Sequence, residues 1–197
     1  MIAGVVLAGG RSTRMGHDKA MVTLAGITLI ERAIERLTPQ CGAVAVNSNL
    51  ALEAVEAQGV PLIADAMPGF QGPLAGMLAA LDWATSAGAT HVATVPVDTP
   101  FFPSDFVARL AGAAGPDQIA VARSQARLHP TCALLPATSA APLRTFLDTR
   151  QSRRVMDFLD LMGFCAIDFD TSGDDPFFNV NRPEDLAVAE ERVRSEP

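Results

Sequence analysis

The apolar run Val5-Val6-Leu7-Ala8 stops abruptly at Gly9-Gly10, and this junction constrains the fold more than any other stretch of the chain. A short, partly β-branched apolar run that ends in glycines is typical of a buried strand. In open α/β sheets, ligands bind in the loops that follow the carboxyl ends of such strands. The junction therefore predicts a buried first strand followed by a ligand-binding loop.

The predicted loop combines glycines, which let backbone N–H groups approach an anion, with positive charge. Its glycines and cations are Gly9, Gly10, Gly16, Arg11, Arg14 and Lys19. The spacing matches neither the dinucleotide fingerprint G-x-G-x-x-G nor the P-loop G-x-x-x-x-G-K-[ST]. Glycines and cations after a strand predict a polyphosphate site, and a glycine loop with solvated cations is the plainer alternative.

Composition limits the classes of protein to which the chain can belong. Its 197 residues, 49% hydrophobic and 19% charged, predict one folded domain over residues 1–197. A net charge of −7 argues against a nucleic-acid partner and makes the cations of the loop a local exception. Cys41, Cys132 and Cys165 form no C-x-x-C pair, which favours free thiols in a reducing compartment. No basic leader and no membrane-length apolar run occur, so we expect a cytoplasmic protein without a membrane partner.

Strand and helix patterns alternate along the chain, which predicts parallel β-α-β units. Thr28 and Glu31 have the spacing of a capping box at the start of a helix. We expect strands over residues 43–46, 61–64, 91–98, 119–122, 131–135 and 164–169. We expect helices over 28–38, 51–58, from the end of the 72–77 segment to about 86, 104–112 with Ser104 as its cap, 138–148, 153–162 with Met162 on its apolar face, and from 183. The predicted fold is a three-layer α/β/α, Rossmann-like domain with a mostly parallel sheet.

Polar residues follow several of the predicted strands. Asn47, Asp65 and Asp98 each stand at the carboxyl end of one, where the first strand's loop also lies. Asn and Asp also favour turns, and for Asn47 and Asp65 taken alone a turn residue is the better explanation. A carboxylate opposite a cationic phosphate loop is the expected place for a magnesium ligand, and a turn-initiating Asp before Pro is the alternative for Asp98.

The string L-A-G-G-R-S-T-R-M-G-H-D-K over residues 7–19 resembles the signature loop of nucleotidyltransferases, most closely that of the molybdenum cofactor guanylyltransferase family. Further segments resemble family motifs in the same order, up to about residue 189. They are G-P-L-A-G-M from Gly72, V-P-V-D-T-P before Phe101, H-P-T from His129 and N-V-N from Asn179. One departure is Arg182 where the family usually has Thr, which predicts a weaker cap on the last helix.

The resemblance implies a reaction in which GMP passes from GTP to the terminal phosphate of the molybdenum-loaded molybdopterin cofactor. It implies Mg²⁺ held by Asp98, and catalysis by Lys19, Asp98 and Arg14, with Arg11 in support. It also implies nucleotide contacts from the N-terminal part and acceptor contacts from the C-terminal part. The nucleotide residues are Leu7, Ala8, Gly9, Gly10, Gly16, Lys19, Asn47, Asp65, Gly72 and Asp98; the acceptor residues are His129, Asn179 and Asn181. Proteins that deliver or receive the cofactor are further expected partners.

Three alternatives stay open at this point. A related enzyme could transfer CMP to the same acceptor, although Gly9-Gly10 and the segment from Gly72 favour the guanylyl type. A sugar-phosphate nucleotidyltransferase has a similar loop but needs a longer sugar-binding part. A carrier protein would bind nucleotide and pterin without reaction. Arg150, Arg153 and Arg154 form either a solvated face or an attraction for the anionic acceptor.

Overall fold

The structure is a computed structural model that describes residues 1–9, 19–52, 55, 58–67, 72–149, 152–169 and 173–195. A seven-stranded sheet in the order β5-β4-β1-β6-β8-β7-β9 forms its centre, and β2 pairs with β3 outside it. The strands are β1 (Ile2–Leu7), β2 (Thr23–Leu24), β3 (Ile27–Thr28), β4 (Ala43–Asn47), β5 (Leu62–Ile63), β6 (His91–Pro96), β7 (Ile119–Ser124), β8 (Arg127–Pro136) and β9 (Phe164–Asp168).

Most strand pairs in the sheet are parallel, as predicted. Strand β1 pairs in parallel with β4 and β6, β4 pairs in parallel with β5, and β7 pairs in parallel with β9. Strand β8 runs antiparallel to both β6 and β7. The registers place Leu7 beside Asn47 on one side and beside Pro96 on the other, so the carboxyl ends of three strands meet at one edge.

Helices cover both faces of the sheet and complete the three predicted layers. They are α1 (Leu29–Leu37), α2 (Pro73–Ser86), α3 (Phe106–Ala113), α4 (Ala140–Thr149), α5 (Val155–Met162) and α6 (Pro183–Ser195). Helices α1 and α3 pack in one core cluster with Val6, while α2, α4 and α5 pack in a second with Val5 and Leu7. Successive residues of β1 thus enter different layers, as the alternation of a strand requires.

Local signals placed some elements correctly and missed others. The capping box of Thr28 and Glu31 forms, and Pro96 lies at the end of β6, where a proline is tolerated. The β2–β3 hairpin was not predicted, because each strand has only two residues. The Ser104 cap is wrong: Asp105 precedes α3, and its side chain makes no cap bond.

Two further expectations are corrected by burial and pairing. The segment around His129 was expected between strands, but it lies within β8, which extends to a tight turn with positive φ at Gln125 and Ala126. Met162 was expected on the buried face of α5 and is instead 37% exposed. The helix expected over residues 51–58 lies largely outside the described residues.

Arg182 does precede the last helix, as predicted, and the helix start is stabilised in another way. Asp185, in the first turn of α6, accepts hydrogen bonds from the Asn181 and Arg182 N–H groups at 2.9 Å each. This is the half of a capping box that the third helical residue supplies. No helix in the described part of the chain combines the length and hydropathy needed to cross a membrane.

Candidate functional site

The carboxyl ends of β1, β4 and β6 are joined by backbone hydrogen bonds beyond the strands. The Ala8 N–H donates to the Asn47 carbonyl oxygen at 2.8 Å, and the Val97 N–H donates to the Leu7 carbonyl oxygen at 3.0 Å. The Ala8 N–H therefore continues the β1–β4 pairing, which corrects the expectation that it donates to phosphate. Gly9 follows at this edge and is exposed.

Asn47 and Asp65, predicted at separate strand ends, lie in direct contact. The Asn47 side chain is 1% exposed, and its Nδ2 donates to Asp65 Oδ1 at 3.1 Å and to the Ile63 carbonyl oxygen at 3.2 Å. Asn49 holds the same carboxylate from the other side: its Nδ2 donates to Asp65 Oδ2 at 2.7 Å, and its Oδ1 accepts from the Asp65 N–H at 2.9 Å. Asn49 was not among the predicted site residues, and its position just after a strand was its one sequence signal.

Two glycines make room for the Asn47 side chain. A Cβ on Gly76 would lie 2.3 Å from Asn47 Oδ1, which no side chain tolerates, and a Cβ on Gly9 would lie 3.2 Å from the same oxygen. Gly76 belongs to α2, so this helix approaches the strand ends closely because it has no side chain there. The Asn47 oxygen consequently faces Gly9 and Gly76, while its nitrogen is committed to Asp65 and Ile63.

Lys19 connects the loop after β6 with the segment that contains Asn181. Its Nζ lies 2.6 Å from Asp98 Oδ2 and also donates to Asn181 Oδ1. The Lys19 and Asp98 side chains are only 11% and 22% exposed, so this ion pair is partly shielded from water. The structure thus brings together a cation, a carboxylate and an amide oxygen from three distant parts of the sequence.

The loop after β6 also holds the segment that contains the predicted acceptor residues. The Thr99 hydroxyl donates to Asn179 Oδ1 at 2.8 Å, and the Val180 N–H donates to the Asp98 carbonyl oxygen at 2.8 Å. Asn179 and Asn181 therefore lie beside Asp98. Thr99, 1% exposed, is a second residue that sequence reasoning missed, because only the fold brings it near Asn179.

Gly72 stands at the start of α2 with φ of +73°, a backbone conformation that favours glycine. Among the described residues, a Cβ there would meet only the Arg153 carbonyl oxygen, at 3.9 Å. The segment before α5 thus lies near the start of α2, and the Arg154 side chain beyond it is exposed. The conformation of Gly72, rather than crowding, accounts for glycine at this position.

The donors at Asp98 fit a hard cation only with help from a ligand. No group of three or more His, Cys, Asp or Glu side chains in the described residues could hold a metal ion. The Asp98 carboxylate and the Asn181 amide oxygen already share a cation, the Lys19 ammonium. Mg²⁺ is commonly bound through one or two carboxylates together with substrate phosphates and water, so a single carboxylate fits that pattern.

His129 lies deeper than a surface ligand, being 6% exposed. Its Nε2 lies 2.8 Å from the Ser124 hydroxyl, and its ring centroid lies 4.7 Å from that of Phe177. Burial lowers the pKa of His129; the Asp175 carboxylate opposes this shift and Arg127 adds to it. Gly10, Arg11, Arg14, Gly16 and Arg150, which the sequence analysis also singled out, lie outside the described residues.

Comparisons with known proteins identify the family of the chain. A family model described as the MobA-like NTP transferase domain matches residues 4–162. Molybdenum cofactor guanylyltransferase of Sinorhizobium fredii is 48% identical over 196 residues, covering 95% of this chain and 89% of that protein. The protein of the same name from Mesorhizobium japonicum is 43% identical over 201 residues, covering 98% and 97% of the two chains.

Solved structures agree on the fold. Molybdopterin-guanine dinucleotide biosynthesis protein A from Archaeoglobus fulgidus matches with a TM-score of 0.76 at 24% identity, covering 100% of both chains. A 4-diphosphocytidyl-2C-methyl-D-erythritol synthase from Anaerococcus prevotii matches with a TM-score of 0.77 at 9% identity, covering 98% and 96%. These two likenesses, both below 25% identity, show the fold alone. The family is shown by the sequence identities of 43–48% to the two guanylyltransferases. The resemblance inferred from the motifs is confirmed, and the chain belongs to the molybdenum cofactor guanylyltransferase family of MobA-like nucleotidyltransferases.

Proposed function

We propose that this protein transfers GMP from GTP to the terminal phosphate of the molybdenum-loaded molybdopterin cofactor, releasing pyrophosphate. One observation carries the proposal beyond family membership. Lys19 and Asp98 lie at the edge that also holds Asn47 and Asp65, and Lys19 reaches Asn181 on the other side. A nucleotide on the first side and an acceptor on the second would therefore meet at Lys19 and Asp98.

In the proposed reaction, an oxygen of the acceptor's terminal phosphate attacks the α-phosphorus of GTP. The new P–O bond forms as the bond from the α-phosphorus to the bridging oxygen of the β-phosphate breaks, and pyrophosphate leaves. The phosphate is already ionised near neutral pH, so no protein nucleophile is needed. Cys132 is not a candidate for one, because burial and then the carboxylates of Asp98 and Asp175 raise the pKa of its thiol. Catalysis then consists of positioning and charge stabilisation.

On the nucleotide side, we assign the nucleoside to Asn47, Asp65 and Gly72. The backbone N–H groups of Gly9, Gly10 and Gly16 would hold the phosphates, with Leu7 and Ala8 beside them at the end of β1. Lys19 and Arg14, supported by Arg11, would offset charge on the transferred group and on the leaving pyrophosphate. The ammonium of Lys19 would then exchange Asp98 and Asn181 for phosphate oxygens, a short movement for a flexible side chain.

Asp98 is the residue that would hold Mg²⁺, together with phosphate oxygens of the substrate. Bound there, the ion would neutralise charge on the phosphates. On the acceptor side we place Asn179, Asn181 and His129, so that one domain over residues 1–197 divides into a nucleotide part and an acceptor part. We place the reaction in the cytoplasm, with proteins that deliver or receive the cofactor as further partners and without nucleic acid or membrane.

Guanine rather than cytosine is the proposed base. Gly9 and Gly72 carry no side chain and are both exposed, which leaves room for a wide base at this end of the site. A purine needs more room than a pyrimidine, and guanine offers both donor and acceptor groups to the backbone. If site groups pair only with guanine, cytosine leaves each unsatisfied at a cost of about 1–3 kcal/mol.

The test is a competition. Purified protein is mixed with acceptor, Mg²⁺ and equal concentrations of GTP and CTP, and the dinucleotide product is weighed while pyrophosphate is assayed. We expect a guanine product and an equal amount of pyrophosphate. A cytosine product would replace the base assignment, and product formation only with a sugar phosphate would replace the acceptor. Nucleotide and pterin binding without pyrophosphate would identify a carrier instead.

A further inference from the structure

The chain that leads to Asn179 and Asn181 is fixed at two points, which we call the two ends of the 175–181 segment. At its far end, Asn179 and Val180 bond to the loop of Asp98 and Thr99. At its near end, the Asp175 side chain bonds to the β7–β8 hairpin and its carbonyl oxygen accepts from Arg192 Nη1 at 2.8 Å. Of the groups at the near end, Ser124, Asp175 and Arg192 have no role assigned above, and His129 has been placed on the acceptor side.

A chain of three polar side chains makes the bond at the near end. The Ser124 hydroxyl donates to Asp175 Oδ1 at 2.6 Å and lies 2.8 Å from His129 Nε2. A hydroxyl has one proton, and an ionised carboxylate cannot donate, so the Ser124 proton points to Asp175. His129 must then carry its proton on Nε2 and donate to the Ser124 oxygen. The direction of the chain is thereby set from His129 through Ser124 to Asp175.

The same carboxylate oxygen also shapes the segment itself. Asp175 Oδ1 accepts from the Phe177 N–H at 2.9 Å, which closes a tight turn at the start of the segment. The Phe177 ring then packs on His129, with 4.7 Å between ring centroids, and on Phe106 and Phe169. Hydrogen bonds and ring contacts thus link the hairpin to Phe177, which stands two residues before Asn179.

Burial excludes a direct chemical role for these groups. Ser124 is 1% exposed and His129 6%, and the Ser124 hydroxyl is committed to a carboxylate rather than activated by a base. The chain nevertheless contains the residue types of a hydrolase triad. Its order differs, because the serine stands between the histidine and the aspartate and gives its proton away from the histidine. These groups therefore act through the segment they hold.

We propose that Ser124, His129 and Asp175 are positioning residues for the acceptor: they fix the start of the 175–181 segment so that Asn179 and Asn181 meet the acceptor beside Asp98. This deepens the proposed function and rests on it. His129, expected to be an acceptor residue, would reach the acceptor only through this segment. The nucleotide side is built on other strands, so it does not depend on the hydrogen bonds between His129, Ser124 and Asp175.

The first test compares two buried serines, Ser124→Ala and Ser139→Ala. Ser139 is also 1% exposed, and its hydroxyl has no hydrogen-bond partner among the described residues, which makes it a matched control. We expect Ser124→Ala to raise the KM for the acceptor about 10-fold, the scale of one buried hydrogen bond, with the KM for GTP unchanged. Ser139→Ala should change neither. Equal rises for both substrates, or no rise for the acceptor, would overturn the proposal.

The second test separates positioning from stability. His129→Gln keeps an N–H donor near the position of Nε2, and His129→Leu removes it; Asp175→Asn keeps an oxygen acceptor, and Asp175→Ala removes it. The conservative member of each pair should recover most of the acceptor KM. Hydrogen exchange gives a readout without substrate: the Phe177 and Val180 amides should exchange faster in Ser124→Ala, while the Ala8 amide should not change. Unchanged exchange of the Phe177 amide in folded Ser124→Ala would contradict the proposal, even if a variant at His129 or Asp175 failed to fold.

The outcomes also separate this proposal from the function on which it rests. If the wild-type protein forms the dinucleotide and the Ser124 and His129 variants keep a wild-type acceptor KM, only the positioning role is wrong. If the wild-type protein forms no dinucleotide with this acceptor, the function is wrong and the acceptor role falls with it. Faster exchange at Phe177 would then show a structural link alone.

Discussion

The two sides of the site are built in different ways. On the nucleotide side, Asn47 and Asp65 follow parallel strands, and their positions come from backbone pairing of β1, β4 and β5. On the acceptor side, Asn179 and Asn181 lie in a segment without regular structure, which side-chain hydrogen bonds hold against the β7–β8 hairpin and the loop after β6. The first side is specified by the sheet and the second by a small number of individual contacts.

This difference has a physical consequence. Displacing a residue at a strand end requires a ladder of backbone bonds to change, whereas the 175–181 segment depends on bonds worth about 1 kcal/mol each. The acceptor side is therefore the part of the site that single substitutions should disturb most selectively. Lys19 and Asp98 lie where the sides meet, so substitutions there should affect both substrates.

The largest effect is expected at the junction. Asp98→Asn keeps the volume of the side chain but removes the charge that pairs with Lys19 and that would hold Mg²⁺. We expect a folded protein with turnover at least about 10²-fold lower, the scale for losing one preorganised charge-stabilising group. Asp82→Asn is the matched control, because Asp82 also pairs with a cation, Arg144, at 2.7 Å but on the surface. Turnover near the wild-type rate for folded Asp98→Asn would reject the assignment.

Lys19→Ala should come next and should weaken both sides of the comparison. It removes the cation that contacts Asp98 and Asn181. We expect kcat/KM for GTP to fall about 10²-fold or more, since a solvated lysine would change stability and rate by only about 0.5 kcal/mol. Steady-state kinetics with GTP and the acceptor varied in turn will measure the effect on each substrate separately. Wild-type kcat/KM for GTP would contradict the phosphate role and leave Lys19 only as the partner of Asp98 and Asn181.

Gly76→Ala should affect the nucleotide side alone. The added Cβ would lie 2.3 Å from Asn47 Oδ1, so Asn47 must move and its bonds to Asp65 and Ile63 must weaken. We expect the KM for GTP to rise about 10-fold and stability to fall by about 1–3 kcal/mol, the cost of unpaired buried polar groups. An equal rise in the KM for the acceptor would contradict the claim that the nucleotide and acceptor sides are structurally independent.

Gly112→Ala is the control for a glycine in a helix. It lies in α3, and a Cβ there meets no atom of the described part of the chain within 4 Å. Alanine should raise the free energy of unfolding by about 0.5–1 kcal/mol through helix propensity and leave both KM values unchanged. The two substitutions add the same methyl group to a helix, so their difference measures the contact with Asn47.

The same contrast explains which features the sequence could reveal. Asn47, Asp65 and Asp98 were predicted together because parallel strands end at the same edge, a rule that needs only local strand signals. The order of strands and helices was predicted from local apolar patterns as well. The contact of Gly76 with Asn47 was not predicted, because it depends on how closely α2 approaches β4.

The contacts on the acceptor side could not be predicted from local sequence signals. Thr99 and Asn179 are 80 positions apart in sequence, and Ser124 and Asp175 are 51 apart, so no periodicity links them. His129 was singled out by motif, but its partner, Ser124, gave no signal. Strand β8 also extends further than expected, because the tight turn at Gln125 and Ala126 places the H-P-T motif inside a strand.

The smallest predicted effect concerns His129 and the pH dependence of stability. Burial lowers its pKa from the ordinary value of 6.5, so the folded state binds fewer protons than the unfolded state near that pH. The stability that comes from neutral His129 is therefore fully present above pH 6.5 and is lost as pH falls below it. Because one proton is involved, the free energy of unfolding can change by at most about 1.4 kcal/mol per pH unit, and we call this dependence the slope.

Denaturant unfolding between pH 5.5 and pH 7.5 checks this prediction in wild type, His129→Gln and His91→Gln. We expect His129→Gln to flatten the slope below pH 6.5, because glutamine has no proton to gain, and His91→Gln to keep it, because His129 is still present. If protonation also disrupts the chain through Ser124 to Asp175, the KM for the acceptor should rise over the same pH range while the KM for GTP stays constant. A slope that survives in His129→Gln would assign the titration to another group and leave the acceptor side without a pH-sensitive contact.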